Sequence, residues 1–483
     1  MSRGKLTIGA ACATLATVSA LLACGSGIEP NLLLPGTTAS PLPTSPPVVP
    51  VSTSAALPPS PPATEPSSPT ATQHPPPTVP CDPVSYETPH KILELEARGH
   101  IFNMAAADFN GDGREDVVLD RHLFGSAETC PIEVLLNDHT GGLRVGTSEV
   151  FTSSIPEVQH PRQMILEDFN GDGRMDIFIA DHGQDAAPFP GYQNTLVLSA
   201  PGGRLTDATA GLPQQRDFTH SAAAADIDGD GDVDLFVGNI WGQLQVPPQI
   251  WLNDGWGEFS IASGRIPAQY TNLAYGTYTS SHFTDLNNDG HPDLILGASD
   301  GVSRSVVLLN DGGGMFSAVE NAIPAKPWQS TDICLSIRSA DLNGDGFLDL
   351  LMAFTKGAYQ GRVLQILINN GDGTFRDETS SRIAQSPNSD PWIINLLLLD
   401  LDGDGDLDIT TQTMGGAPET LPVYVNDGWG TFSVRSFELG ILHTWLYTFV
   451  DLDGDGGLDI LTSYPAGESS PEMHFVARNL GCR

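Results

Sequence analysis

Ala225-Asp226-Ile227-Asp228-Gly229-Asp230-Gly231-Asp232-Val233-Asp234-Leu235-Phe236-Val237 holds the most acidic form of a nine-residue loop, Asp-x-Asn/Asp-x-Asp-Gly-x-x-Asp, running straight into an apolar stretch. The loop occurs seven times in the 483-residue chain, beginning at Asp108, Asp168, Asp226, Asp285, Asp341, Asp400 and Asp451. The spacings are 60, 58, 59, 56, 59 and 51 residues, which marks an internal repeat rather than chance.

Each loop places side-chain oxygens at positions 1, 3, 5 and 9. These are Asp108, Asn110, Asp112 and Asp116 in the first copy, Asp168, Asn170, Asp172 and Asp176 in the second, and Asp226, Asp228, Asp230 and Asp234 in the third. The fourth and fifth carry Asp285, Asn287, Asp289 and Asp293, then Asp341, Asn343, Asp345 and Asp349. The last two carry Asp400, Asp402, Asp404 and Asp408, then Asp451, Asp453, Asp455 and Asp459. Such sets, with a backbone carbonyl at position 7, suit a hard cation that takes six to eight oxygens at about 2.3–2.6 Å. Calcium is the expected ion, about seven in all. Position 6 is glycine in every copy, as a sharp turn with positive φ requires. An EF-hand is excluded, because position 12 is Leu119, Ile179, Val237, Leu296, Met352, Thr411 or Thr462, never the bidentate Glu that fold needs.

A second element follows most loops by 25 to 28 residues, as in Trp251-Leu252-Asn253-Asp254-Gly255-Trp256-Gly257-Glu258-Phe259 and Val425-Asn426-Asp427-Gly428-Trp429-Gly430-Thr431-Phe432. Asn and Gly beside alternating apolar residues signal hairpins. Each repeat therefore reads as strand A, acidic loop, strand B, variable loop, strand C, hairpin, strand D. The expected fold is all-β: a seven-bladed β-propeller with four-stranded antiparallel blades.

With Ala107-Asp108-Phe109-Asn110-Gly111-Asp112-Gly113, its relatives and the Asn-Asp-Gly-x-Gly-x-Phe hairpins in view, residues 82 to 483 resemble the FG-GAP/VCBS repeat family of calcium-loop propellers, which includes the integrin α-subunit head. The resemblance implies a recognition or adhesion module.

The seventh repeat stops after its third strand, around Phe475, while Ile92-Leu93-Glu94-Leu95-Glu96 precedes the first loop without a blade of its own. That segment is expected to complete the last blade and close the ring. Asn479 stands where the other hairpin asparagines stand, so Cys81 and Cys482 flank a broken turn and are expected to form a disulfide. The chain-entropy model assigns such a link about 4–5 kcal/mol. Cys130 and Cys334 fall in non-neighbouring blades and are read as buried thiols.

Arg3 and Lys5 precede an apolar stretch, and Leu21-Leu22-Ala23-Cys24 matches the bacterial lipobox pattern. Residues 1–23 are read as a lipoprotein signal peptide, with Cys24 lipidated and Gly25 giving no inner-membrane retention signal. Residues 24–80 are dominated by Pro, Ser, Thr and Ala, a composition that buries no core and acts as an extended spacer before the propeller at 81–483. The expected location is extracytoplasmic, at the outer membrane or cell surface, with membrane contact only through the lipid. The net charge of −37 argues against nucleic acid, and 26 of the 59 acidic residues are aspartates of the seven loops.

The acidic loops and hairpins share one face of the expected ring, so a ligand is sought on the other, where loop length varies. Eight residues before each first Asp stand His100, His160, Phe218, Thr277, Ile333, Trp392 and His443, at the start of strand A. His100, His160, Phe218, Trp392 and His443 are candidates for ringing the axis and contacting a ligand. No nucleophile elbow, zinc helix motif or phosphate loop occurs, and no catalytic residue is assigned; His182 between Asp181 and Asp185 is read as a solvated loop group. The leading expectation is a monomeric surface propeller binding protein or glycan. The alternative is an extracellular enzyme on the same scaffold, for example one that cleaves polysaccharide.

Overall fold

The computed structural model describes residues 86, 89–95 and 99–477, apart from 87–88, 96–98, 124, 153, 274–276, 300–301, 303, 327–330, 357–358, 385–391, 415–419, 439–445 and 465–471. Cys24, Cys81, His443 and Cys482, and with them the anchor, spacer and disulfide readings, lie outside the described residues.

Seven four-stranded antiparallel sheets follow one another along the chain. In blade 1 strands A to D are His100–Ala107, Asp116–His122, Glu133–Asn137 and Leu143–Val145. The seventh blade is assembled from both ends of the described chain. Leu446–Val450, Asp459–Tyr464 and Glu472–Ala477 supply its first three strands, and His90–Leu95 pairs antiparallel with the third, Leu93 opposite His474 and Leu95 opposite Glu472. The N-terminal strand thus closes the ring.

The apolar runs after the acidic loops are the B strands, and those of blades 1 to 4 are buried along their whole length. Alternate side chains of a strand point to opposite faces of its sheet, so each B strand feeds two cores. Val117 and Leu119 pack against blade 7, in a cluster with Val450, Leu461 and Leu95, whereas Val118 packs against Ile177 and Ile179 of blade 2. Phe178 and Ala180 turn the other way, onto Leu235, Val237 and Trp251 of blade 3. The same arrangement recurs at every blade junction, so the core is a ring of inter-blade wedges. Cys130 and Cys334 are both buried.

One irregularity repeats. In blades 1 to 6 the pairing of strand A with strand B shifts register near its start: between Ile101 and Met104, Pro161 and Gln163, Thr219 and Ser221, Tyr278 and Ser280, Cys334 and Ser336, and Ile393 and Asn395. Such bulges re-aim side chains.

Candidate functional site

The acidic loops are held in one conformation by their own backbone. The first Asp accepts N–H bonds from two or three of positions 4, 5 and 6; Asp108 accepts all three, from Gly111 (2.7 Å), Asp112 (3.1 Å) and Gly113 (2.8 Å), as do Asp341 and Asp451 from theirs. Position 6 takes φ between 80° and 96° in all seven copies; position 4 is also positive, at 57° to 78°, with Asn288 the one non-glycine. In the three loops with Asp at 1, 3 and 5, those carboxylates converge: oxygens of Asp226, Asp228 and Asp230, of Asp400, Asp402 and Asp404, and of Asp451, Asp453 and Asp455 lie within 4.8 Å of one another. One oxygen each of Asp228 and Asp402 is buried with no hydrogen-bond partner. A convergent set of carboxylates with an orphaned oxygen fits a divalent cation, which would take the repulsion that raises both groups' pKa values on top of their burial.

The ninth position plays a second part. Asp116, Asp176, Asp234, Asp293, Asp349 and Asp408 are fully buried. Five of the six accept a backbone N–H from the hairpin asparagine of their own blade, at 2.8 Å in blade 1 (Asn137), blade 3 (Asn253) and blade 5 (Asn369), and at 2.9 Å in blade 4 (Asn310) and blade 6 (Asn426). In blade 2, Ser199 takes the asparagine's place, its N–H 2.6 Å from Asp176.

Those asparagines also reach across blade junctions. The side-chain amide donates to the carbonyl of the second loop residue in the preceding blade: Asn253 to Phe169, Asn310 to Ile227 and Asn369 to Leu286 at 2.8 Å, Asn426 to Leu342 at 3.3 Å, and Asn137 to Leu452 of blade 7 at 2.9 Å. Asn369 further donates to Leu348 O and accepts from Gly371 N. Asn369→Ala, which leaves these buried groups unpaired, is expected to cost about 2–4 kcal/mol of unfolding free energy, read from the shift of the urea midpoint.

At the opposite ends of the A strands the bulges build a cavity of about 130 Å³. Its wall is made of residues six and five before each first Asp: Phe102 and Asn103, Arg162 and Gln163, His220 and Ser221, Thr279 and Ser280, Leu335 and Ser336, Ile394 and Asn395. Met164, Ser281, Ile337, Arg338 and Gln412 complete it, with Trp392 as the one contribution, among the described residues, of the column eight before. The ring is cross-linked blade to blade: Gln163 Oε1 accepts from Ala222 N (3.0 Å), Ser281 Oγ donates to Ser221 Oγ (3.2 Å), and Asn395 Oδ1 accepts from Ser336 Oγ (3.1 Å) and Arg338 Nη2 (2.7 Å).

A family model described as FG-GAP-like repeat matches residues 168–237, 285–352 and 341–411. Each match starts at the first Asp of one loop and ends in the B strand beyond the next, which is one blade-to-blade unit of the ring just described. The chain is a seven-bladed β-propeller that carries FG-GAP-like repeats. Among solved structures it is similar to the Dos1 propeller, at 10% identity and a TM-score of 0.46 over 82% of this chain and 95% of that one.

The other ligand-face candidates of this FG-GAP propeller sit beside the cavity in an aromatic stack that spans blades 1 to 3. His122 stacks on His160 at 4.2 Å and 7°, His160 meets His182 at 4.2 Å, and His182 stacks on Phe218 at 4.5 Å. Phe218 in turn stacks on Trp241 at 5.1 Å, and His100 lies 6.3 Å from His122 at the far end. His160 and Phe218 are buried, as is His182, so the strand starts pack beneath loops instead of facing open solvent. Ile333 is buried and Thr277 half-buried. Burial, with the neighbouring cations second, holds His122 down at about 3 and keeps His160, His182 and His220 well below the usual imidazole range. Those four imidazoles are therefore neutral at physiological pH. Ligating atoms of His160, His182 and Asp185 lie within 4.8 Å of one another, but Arg162 acts electrostatically on all three, and its positive charge opposes a cation there.

The FG-GAP propeller's cavity residues were missed by sequence reasoning, although a signal was present. Aligning the repeats on the first Asp puts Asn103, Gln163, Ser221, Ser280, Ser336 and Asn395 in one column, polar in the first six repeats and Leu446 in the seventh. The exposed Trp256 and Trp429 stand on hairpins of non-adjacent blades, singly and not as a patch.

Proposed function

We propose that this propeller is a surface-anchored recognition module, stiffened by about seven calcium ions in its acidic loops, that takes its ligand at the axial cavity on the face away from those loops. The observation that carries this reading is the cavity itself: a concave site at the ring axis, built by the same bulge in six blades and lined by convergent polar groups with an aromatic rim. Of protein and glycan, the lining favours glycan. Hydroxyls and amides of Ser221, Ser280, Ser281, Asn103 and Gln163 match sugar hydroxyls, and Trp392, with the half-exposed Tyr359 4.9 Å from it, offers a flat apolar edge. Membrane attachment through Cys24 and the proline-rich spacer would tether the propeller to the surface.

A glycan array probed with the full chain, with calcium and with chelator, tests the proposal. Hits that need calcium and vanish with Trp392→Ala support it; binding unchanged by that substitution would place recognition elsewhere. The second reading, an enzyme that cleaves polysaccharide, has one observation in its favour: His220 shares the cavity with Arg162, which pairs a potential proton carrier with a cation. Release of shorter saccharides over time from an array-positive glycan, abolished by His220→Ala, would establish that reading over simple binding.

A further inference from the structure

Resting on the reading that the axial cavity binds glycan, we propose that its ligand is an acidic glycan whose carboxylate or sulfate group is held between Arg162 and Arg338.

The chain has 59 acidic residues against 22 Lys and Arg, so a guanidinium has carboxylates at hand almost anywhere on it. Five arginines take them among the described residues, including Arg121 with Glu133 at 2.6 Å, Arg382 with Glu378 at 2.9 Å and Arg376 with the same Glu378 at 3.1 Å, while others, such as Arg174 and Arg304, bond backbone carbonyls at the outer part of the ring. The axial pair is different. Arg162 makes no hydrogen bond or ion pair among the described residues, and its guanidinium lies over the Phe102 ring at 5.5 Å. Arg338 donates only to neutral acceptors, Ile337 O and Asn395 Oδ1, both at 2.7 Å. No Asp or Glu lines the cavity among the described residues. Tyr359 and Asp185 act on Arg162 electrostatically, both from beyond ion-pair distance.

Two half-buried guanidinium groups that burial alone makes costly to charge, with Arg338 lowered to about 10, are therefore left facing a polar cavity without a counter-ion. A charge in that position is normally satisfied, and an oxyanion accepting the planar N–H fork is the partner whose shape fits it. The remaining donors point to the same chemistry. His220 Nδ1 is buried without a hydrogen-bond partner, and the serine and threonine hydroxyls of the lining can turn toward an acceptor.

The outer charge narrows the ligand further. A net charge of −37 repels a uniformly charged polymer at long range even with the local attraction at the axis. A largely neutral glycan ending in a single acidic sugar meets the arginines without that penalty, with the sugar ring laid against Trp392.

Isothermal titration of the full chain in calcium tests the assignment with five probes: a neutral oligosaccharide ending in glucuronate, its methyl ester, the same saccharide sulfated at the end, inorganic sulfate, and an acidic peptide. The expected result is that an acidic end, carboxylate or sulfate, binds at least about tenfold more tightly than the ester. Arg162→Gln should remove about that factor and Arg162→Lys should keep part of it, with the melting temperature of unliganded Arg162→Gln equal to or above that of the natural protein. Arg338→Lys provides a second test if Arg162→Gln folds poorly. Which of the carboxylate and sulfate forms binds more tightly identifies the source of the anion. Equal binding of acid and ester overturns the proposal while leaving a glycan site standing. Binding of inorganic sulfate or of the peptide, with no saccharide bound, overturns both this assignment and the glycan reading beneath it.

Discussion

Chelating calcium is expected to lower the melting temperature of the full chain by on the order of 10–20 °C. An ion that binds only the folded state adds RT ln(1 + [L]/Kd), about 2.7 kcal/mol for each site held at a hundred times its Kd. Seven loops raise that to more than 10 kcal/mol even if neighbouring sites share part of their effect, and a domain of this size converts each kcal/mol into roughly 1 °C. Without the ions, the carboxylates that converge in the loops of blades 3, 6 and 7 repel one another; seven calcium ions, +14 in all, would bring the formal −37 to −23. The effect carries a pH signature. In the metal-free protein burial lifts Asp116, Asp176, Asp293, Asp349 and Asp408 to about 6 and Asp234 to about 7. Calcium favours the ionised form, so affinity falls as pH drops through that range and binding at pH 6 releases protons. Calorimetry in chelator and in buffers of differing ionisation enthalpy measures both; a melting temperature indifferent to chelator would rule out calcium as a structural ion.

Loss of the N-terminal strand is the other large effect. Without His90–Leu95 the Glu472–Ala477 strand becomes an open edge, and Leu95, buried among Leu446, Val450, Leu461 and Val476, leaves its cluster. Ladder bonds at about 0.5–1.5 kcal/mol each and about 2 kcal/mol for the leucine sum to roughly 5 kcal/mol. An exposed edge also pairs with other chains. A chain truncated after Glu96 should therefore melt lower and elute in light-scattering chromatography as dimers and larger species. A truncated chain that stays monomeric with an unchanged transition would mean that the last blade is complete without this strand.

Much of this was legible because the repeat aligns itself. The seven acidic loops and the six intervals between them set the blade number, the glycine at position 6 foretold its positive φ, and the stretch around Leu93 had no other partner than the unfinished last blade. The axial site was less legible for a physical reason. Alternation along a strand assumes an unbroken pleat, and the bulge before Gln163, Ser221, Ser280, Ser336 and Asn395 breaks it, so the residues facing the axis are two and three positions later than a regular strand start suggests. His160 and Phe218 consequently pack into the stack with His182, a loop residue read as solvated that is in fact buried. Nor does sequence separate the two duties of aspartate: Asp349 looks like Asp345, yet one is buried against hairpin amides and the other sits in the open loop.

The asparagine amides that span the blade junctions give the ring a direction. Each one grips the backbone of the acidic loop behind it while its own N–H holds the buried aspartate of its own blade, so the shape of one loop is passed forward to the next hairpin. An ion entering one loop would thus pre-shape the following blade, and filling would spread round the circle like tightening the staves of a barrel. At blade 2 the relay has no amide to carry it, since Ser199 is too short to reach blade 1, and these two staves meet instead at the opposite, cavity end through the facing imidazoles of His122 and His160.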